Sequence, residues 1–125
     1  INLHTGLTTW HRGVEAHIRM LAANKPYLLG CTYHRMTHRI DDGVIFHRVL
    51  FDNWHKGDGL NKVFWRNCKV GIEALPIVLA DALNGDLKPL PYLDYMKGAL
   101  VQNKDVTDKL IKHAEANLKT LQSKL

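Results

Sequence analysis

Serine is nearly missing from this chain of 125 residues; Ser123, close to the last residue, is the only one. Most serine-nucleophile chemistry is thereby excluded, and no Gly-x-Ser-x-Gly elbow occurs. Cysteine is scarce as well, with Cys31 and Cys68 far apart. Two cysteines cannot staple a disulfide scaffold, and without Cys-x-x-Cys there is no zinc or redox pair of that type. Both thiols are expected to be reduced and partly buried. The glycines are scattered, so no glycine-rich phosphate loop is present. Long apolar runs are lacking too. The most apolar stretch, residues 72–83, carries Glu73, Pro76 and Asp81, whereas a membrane span needs ~20 apolar residues. No repeat, sustained heptad pattern or low-complexity tract is evident.

What is present is ordinary globular composition, 46% hydrophobic and 23% charged, which rules out wholesale disorder. The length fits a single domain over 1–125, with a possible sub-boundary at 85–91. The formal net charge of +5 is unevenly placed. All six arginines and all three tryptophans lie in residues 1–70. Arginine makes forked contacts with phosphates and carboxylates. Arg12, Arg19, Arg35, Arg39, Arg48 and Arg66 are therefore the candidates for meeting an acidic partner, either RNA or anionic lipid.

Periodicity predicts helices throughout. Thr8 or Thr9 can cap a first helix, in which Trp10, Val14, Ile18 and Leu21 fall within an arc of about 80°. Pro26 suits the first turn of a second helix carrying Leu29, Tyr33, Met36 and Ile40 on one side. Asp41-Asp42-Gly43 reads as a turn and cap. Residues 44–55 are strongly apolar without alternation, which favours a buried helix over a strand. A fourth helix starts at Leu60, and Pro76 kinks it or begins another. Asn84-Gly85 stops that helix. Residues 87–91, with two prolines, form an extended connector. A short helix follows over 92–101. Asp105 caps the last one, whose Leu110, Ile111, Ala114, Leu118, Leu121 and Leu125 share one face. The expected fold is all-α, an irregular bundle of five to six helices with a proline-containing connector before an amphipathic C-terminal helix.

Candidate chemistry is thin. On a helix His34 and His38 would stand one turn apart and could share a metal ion, but Arg35 occupies the place where a zinc-protease pattern needs glutamate. A haem with an axial histidine is the related alternative, although no Cys-x-x-Cys-His attachment motif exists. The paired carboxylates Asp41-Asp42 are better explained as a turn. The expectation is thus a non-enzymatic accessory subunit of a larger assembly, without cofactor. It would dock on other protein subunits through Trp10, Trp54, Trp65, Leu118, Leu121 and Leu125. Basic composition, few cysteines and a start at Ile1 instead of methionine are compatible with an imported, presequence-cleaved protein. The expected setting is therefore mitochondrial, beside a membrane complex, with cytoplasm as the alternative. The alternative functions are an RNA-contacting ribonucleoprotein subunit and a histidine-based metal- or haem-binding domain.

Overall fold

The computed structural model describes residues 1–92 and 96–125. It is mixed α/β, which corrects the all-α expectation. Strand β1 (Asn2–His4) pairs antiparallel with β3 (Gly30–His34), and β3 pairs antiparallel with β4 (Ile45–Leu50), giving the order β1-β3-β4. A second small sheet joins β2 (Arg12–Gly13) in parallel to β5 (Leu100–Val101). Four helices accompany them: α1 (Ala16–Ala22), α2 (Leu60–Glu73), α3 (Leu75–Leu83) and α4 (Asp108–Gln122).

The two segments expected as the second and third helices are the strands β3 and β4. Asn24 adopts a left-handed φ of 55° and ends α1, and Pro26 opens only a short 3-10 turn, Pro26–Leu28. From Gly30 onward every residue of β3 is buried. Buried on both faces, the strand has no polar side to alternate with, so its sequence lacks the period-two signature. In β4 the β-branched Ile45 and Val49 and the aromatic Phe46 favour the pleated conformation over a helix. The register Cys31↔Val49 and Tyr33↔His47 sets β4 against its neighbour.

The C-terminal half follows the sequence more closely. Thr107, rather than Asp105, caps α4 by accepting the Leu110 N–H at 3.2 Å. Pro76 lies in the first turn of α3, where a missing N–H costs nothing. Of the short helix expected over 92–101, residues 93–95 lie outside the described residues, and Leu100–Val101 is a strand.

The main core gathers Ile18, Leu21, Leu29, Phe51, Val63, Ala114 and Leu118, with α1 packed on α4. A smaller cluster of Tyr33, Ala74 and Val78 forms where α2 crosses β3. There the Tyr33 hydroxyl donates to the Gly71 carbonyl at 2.7 Å. Among the described residues, no helix is long and apolar enough to cross a membrane.

Candidate active site

In β1, Asn2 and His4 are two residues apart and so share one face of the strand. Across the ladder Asn2 stands opposite His34, the last residue of β3. The chain then turns back through residues 35–44, a loop closed by the Arg35 N–H donating to Val44 at 2.8 Å. At the loop's end Asp41, held at a left-handed φ of 48°, points its carboxylate at both histidines. Aspartate enters that backbone region more readily than most residues.

Asp41 is the hub. Its Oδ2 accepts the Gly13 N–H at 2.7 Å and lies 3.5 Å from His4 Nδ1, while Oδ1 lies 3.4 Å from His34 Nε2. Asn2 Nδ2 approaches the same His34 Nε2 at 3.3 Å. His11 stacks on His4 with ring centroids 6.0 Å apart, and His34 meets His4 edge-on at 6.4 Å. The loop after β1 is tied down from below. Thr32 Oγ1 donates to the Gly6 carbonyl at 2.7 Å and accepts the Thr8 N–H at 3.0 Å. Asn67, from α2, donates to the Thr5 and Gly30 carbonyls.

Electrostatics separates these groups. Burial pushes His4 below the ordinary imidazole value against the opposing pull of Asp41. Burial, reinforced by the His4 charge, takes His11 down to about 4. His34 moves the other way, because its hydrogen bond to Asp41 outweighs burial. For Asp41, burial pushes the carboxyl up, but the His34 hydrogen bond, the His4 charge and the Gly13 N–H together hold it below its usual range. The site therefore places two imidazoles shifted in opposite directions around one carboxylate held below its usual range. Imidazoles with opposed shifts around one carboxylate mark a site for acid–base chemistry.

Among the described residues, two buried polar side-chain atoms lack a hydrogen bond, Asn67 Oδ1 and one in this site. His4 Nε2 is buried and makes no hydrogen bond. An unpaired buried polar atom costs ~1–3 kcal/mol. Gly6 lies beside it, and a Cβ there would come within 2.6 Å of Nε2.

The residues singled out from sequence are dispersed. His34 belongs to the cluster, whereas His38 is exposed in the 35–44 loop, so the helical pairing that would have brought them to one metal does not exist. Among the described residues, no group of three His, Cys, Asp or Glu is arranged to hold a metal ion. Arg12 donates from Nε and Nη2 to the Gly98 carbonyl at 3.3 Å. Arg48 donates to Thr8 and Pro91 carbonyls at 2.6 and 2.9 Å and lies over the Trp10 ring. Arg66 binds Asp58. Arg35 lies over Phe46, and exposed Arg39 stands 3.8 Å from Asp42. Arg19 is half-buried on α1. Leu118 is in the core, Trp54 packs against it, Trp10 and Leu121 are half-buried, and Trp65 and Leu125 are exposed. Both cysteines are free thiols. Sequence reasoning missed Asn2, His4 and Asp41. The available signal was Asn-Leu-His, two polar side chains at strand spacing, together with an Asp-Asp-Gly turn after the next strand.

No protein-family model matches the chain, and no curated protein matches its sequence. Solved structures do match its fold. An N-formyltransferase from Helicobacter canadensis, in complex with folinic acid and dTDP-3-aminofucose, superposes with a TM-score of 0.75 at 16% identity, covering 94% of this chain and 46% of that one. A formyltransferase from Anoxybacillus kamchatkensis, in complex with UDP-4,6-dideoxy-4-formamido-L-AltNAc and tetrahydrofolate, gives 0.73 at 17% identity, covering 94% and 65%. A 4-N formyltransferase from Francisella tularensis gives 0.73 at 22% identity, covering 94% and 50%. The chain thus spans between about half and two-thirds of the length of these structures. Likeness to a group of enzymes overturns the expectation of a non-enzymatic accessory subunit: the fold is formyltransferase-like, mixed α/β.

Proposed function

We propose that this chain carries the acid–base centre of an enzyme that transfers a formyl group from a folate carrier to the amine of a nucleotide-linked sugar. The observation that carries the reading is the Asp41 carboxylate bridging His4 and His34 beside Asn2, on a fold otherwise seen in sugar N-formyltransferases.

The chemistry of the donor set fits a formylated tetrahydrofolate. Acyl transfer to an amine needs a base for the nitrogen's proton and a hydrogen-bond donor for charge growing on the carbonyl oxygen. His4 Nε2, without a hydrogen bond of its own, is the proton acceptor. Asp41, through His4 Nδ1, fixes the tautomer that leaves Nε2 unprotonated and stabilises the imidazolium once formed. Asn2, on the same strand face, supplies the carboxamide N–H groups for the carbonyl oxygen. A bound formylated carrier would supply the formyl carbon and a leaving nitrogen able to take up a proton. His4 is the group that holds that proton between the amine and the leaving nitrogen. The mitochondrial setting expected from composition is not needed by this reading.

The test is direct. Incubation with formyl-tetrahydrofolate and dTDP- or UDP-linked amino sugars should give a product one formyl group heavier by mass spectrometry. His4→Gln should lower the rate by about 10²–10⁴-fold, the range for loss of a general base. Unchanged turnover in His4→Gln would remove the reading.

A further inference from the structure

His34 has two ring nitrogens with fixed neighbours, and together they constrain Asn2. Its Nδ1 lies 3.0 Å from the Arg35 carbonyl oxygen. A carbonyl only accepts, so Nδ1 carries hydrogen in either charge state. Nε2 is left between Asn2 Nδ2 at 3.3 Å and Asp41 Oδ1 at 3.4 Å. In the neutral ring Nε2 is a lone pair: it accepts from the Asn2 amide, and Asp41 Oδ1 faces another acceptor. In the protonated ring Nε2–H donates to Asp41, and the Asn2 amide nitrogen would face a donor. The protonated state is relieved by rotating the carboxamide so that its oxygen lies inward. The two charge states of His34 therefore require opposite ends of the Asn2 carboxamide.

We infer that His34 is a positioning residue whose charge decides which end of Asn2 is turned away from it, the NH₂ when His34 is protonated and the oxygen when it is neutral. The consequence for catalysis rests on the formyl-transfer reading above; the orientation itself does not. The NH₂-outward form presents both N–H groups to a formyl oxygen, whereas the other form spends one of them on His34.

The groups facing His34 come from each neighbouring element. Asp41 approaches from the loop, and His4 from β1. The Arg35 carbonyl follows on the chain, and Ile45 of β4, its partner in the ladder, is apolar. The Asp41 hydrogen bond outweighs burial, raising His34 above the ordinary 6.5. The outward donor is thus present below the folded His34 value, which lies above 6.5, and is lost as pH rises through it. Formyl transfer should then fall on the alkaline side by about 10²-fold, as for removal of one oxyanion donor.

The experiment is a pH titration of the ¹⁵N-labelled chain by NMR. The expected result is that the side-chain amide signals of Asn2 move with the same midpoint as His34 Nε2. In His34→Gln the Asn2 titration should vanish. In Asp41→Asn the His34 midpoint should fall and the Asn2 midpoint should fall with it, which supports the coupling even where His34→Gln does not fold. Asn2 signals that stay still, or that follow the His4 midpoint instead, overturn the inference. Coupled titration without transferase activity leaves the positioning role intact and removes only the functional reading. Activity without coupled titration does the reverse.

Discussion

His11 and His17 are buried as neutral imidazoles. Burial is the main cause at both; the His4 charge adds to it at His11 and the His11 charge at His17, and each is driven down to about 4. In the unfolded chain they titrate at the ordinary 6.5. Between these values the unfolded state binds protons that the folded state does not, so stability falls as pH drops from 6.5 toward about 4. The loss is roughly 3 kcal/mol for each histidine. Urea unfolding across this range should show it, and His17→Phe should reduce the slope by one proton. His17 sits against Phe64 with ring centroids 5.2 Å apart, so an apolar ring fits its surroundings. Gly6→Ala belongs to the same scale. Its Cβ would displace the His4 imidazole, and the expected outcome is a fold that persists with the rate of the proposed formyl transfer reduced by at least about tenfold. Neither effect was legible in the sequence, because a histidine's charge state depends on partners more than 20 residues away, as His34 and Asp41 depend on β1.

At the scale of elements, legibility followed exposure. The face of α4 running from Leu110 to Leu121 repeats at helical spacing beside solvated lysines, so its pattern survives in the sequence. The starts of α2 and α3 were readable for similar reasons: a turn before Leu60, and a proline suited to a first turn. Strand β3 was not readable. Every residue in it is buried, and Tyr33 also fits a helical spacing with Leu29 and Ile40. The sheet and α2 meet at Gly71, where an added Cβ would stand 2.8 Å from the Cys31 sulfur. Alanine favours a helix interior by up to ~1 kcal/mol over glycine, but overpacking costs ~1–3 kcal/mol. Gly71→Ala is therefore expected to destabilise, as a lower urea midpoint. Leu118→Ala, in the core between α1 and α4, should cost ~2–5 kcal/mol by the same measurement.

For the whole molecule, the accessible surface is 7572 Å². A folded monomer of 14.3 kDa is expected to expose ~6,800 Å². The excess, roughly 800 Å², is about one side of a standard protein interface. Exposed apolar side chains gather on α3, where Leu75, Ile77, Leu79 and Leu83 are exposed and Val78 alone is buried. An apolar helix with most of its sides in water is expected to drive self-association of this chain. Sedimentation should show concentration-dependent association, relieved in the double variant Leu79→Lys, Leu83→Lys; a monomer at all concentrations would contradict it.

Under the proposed function, Asn2, His4 and Asp41 form the reacting centre and His34 positions Asn2. This central claim is tested most directly by mapping chemical shifts while folinic acid and a dTDP-linked amino sugar are added. The account predicts saturable changes at these four residues and at Gly6 and Gly13, which line the same carboxylate and imidazole. Changes confined to the cleft of about 640 Å³ lined by Glu15, His17, Phe64 and Trp65, with the four residues unmoved, would contradict it.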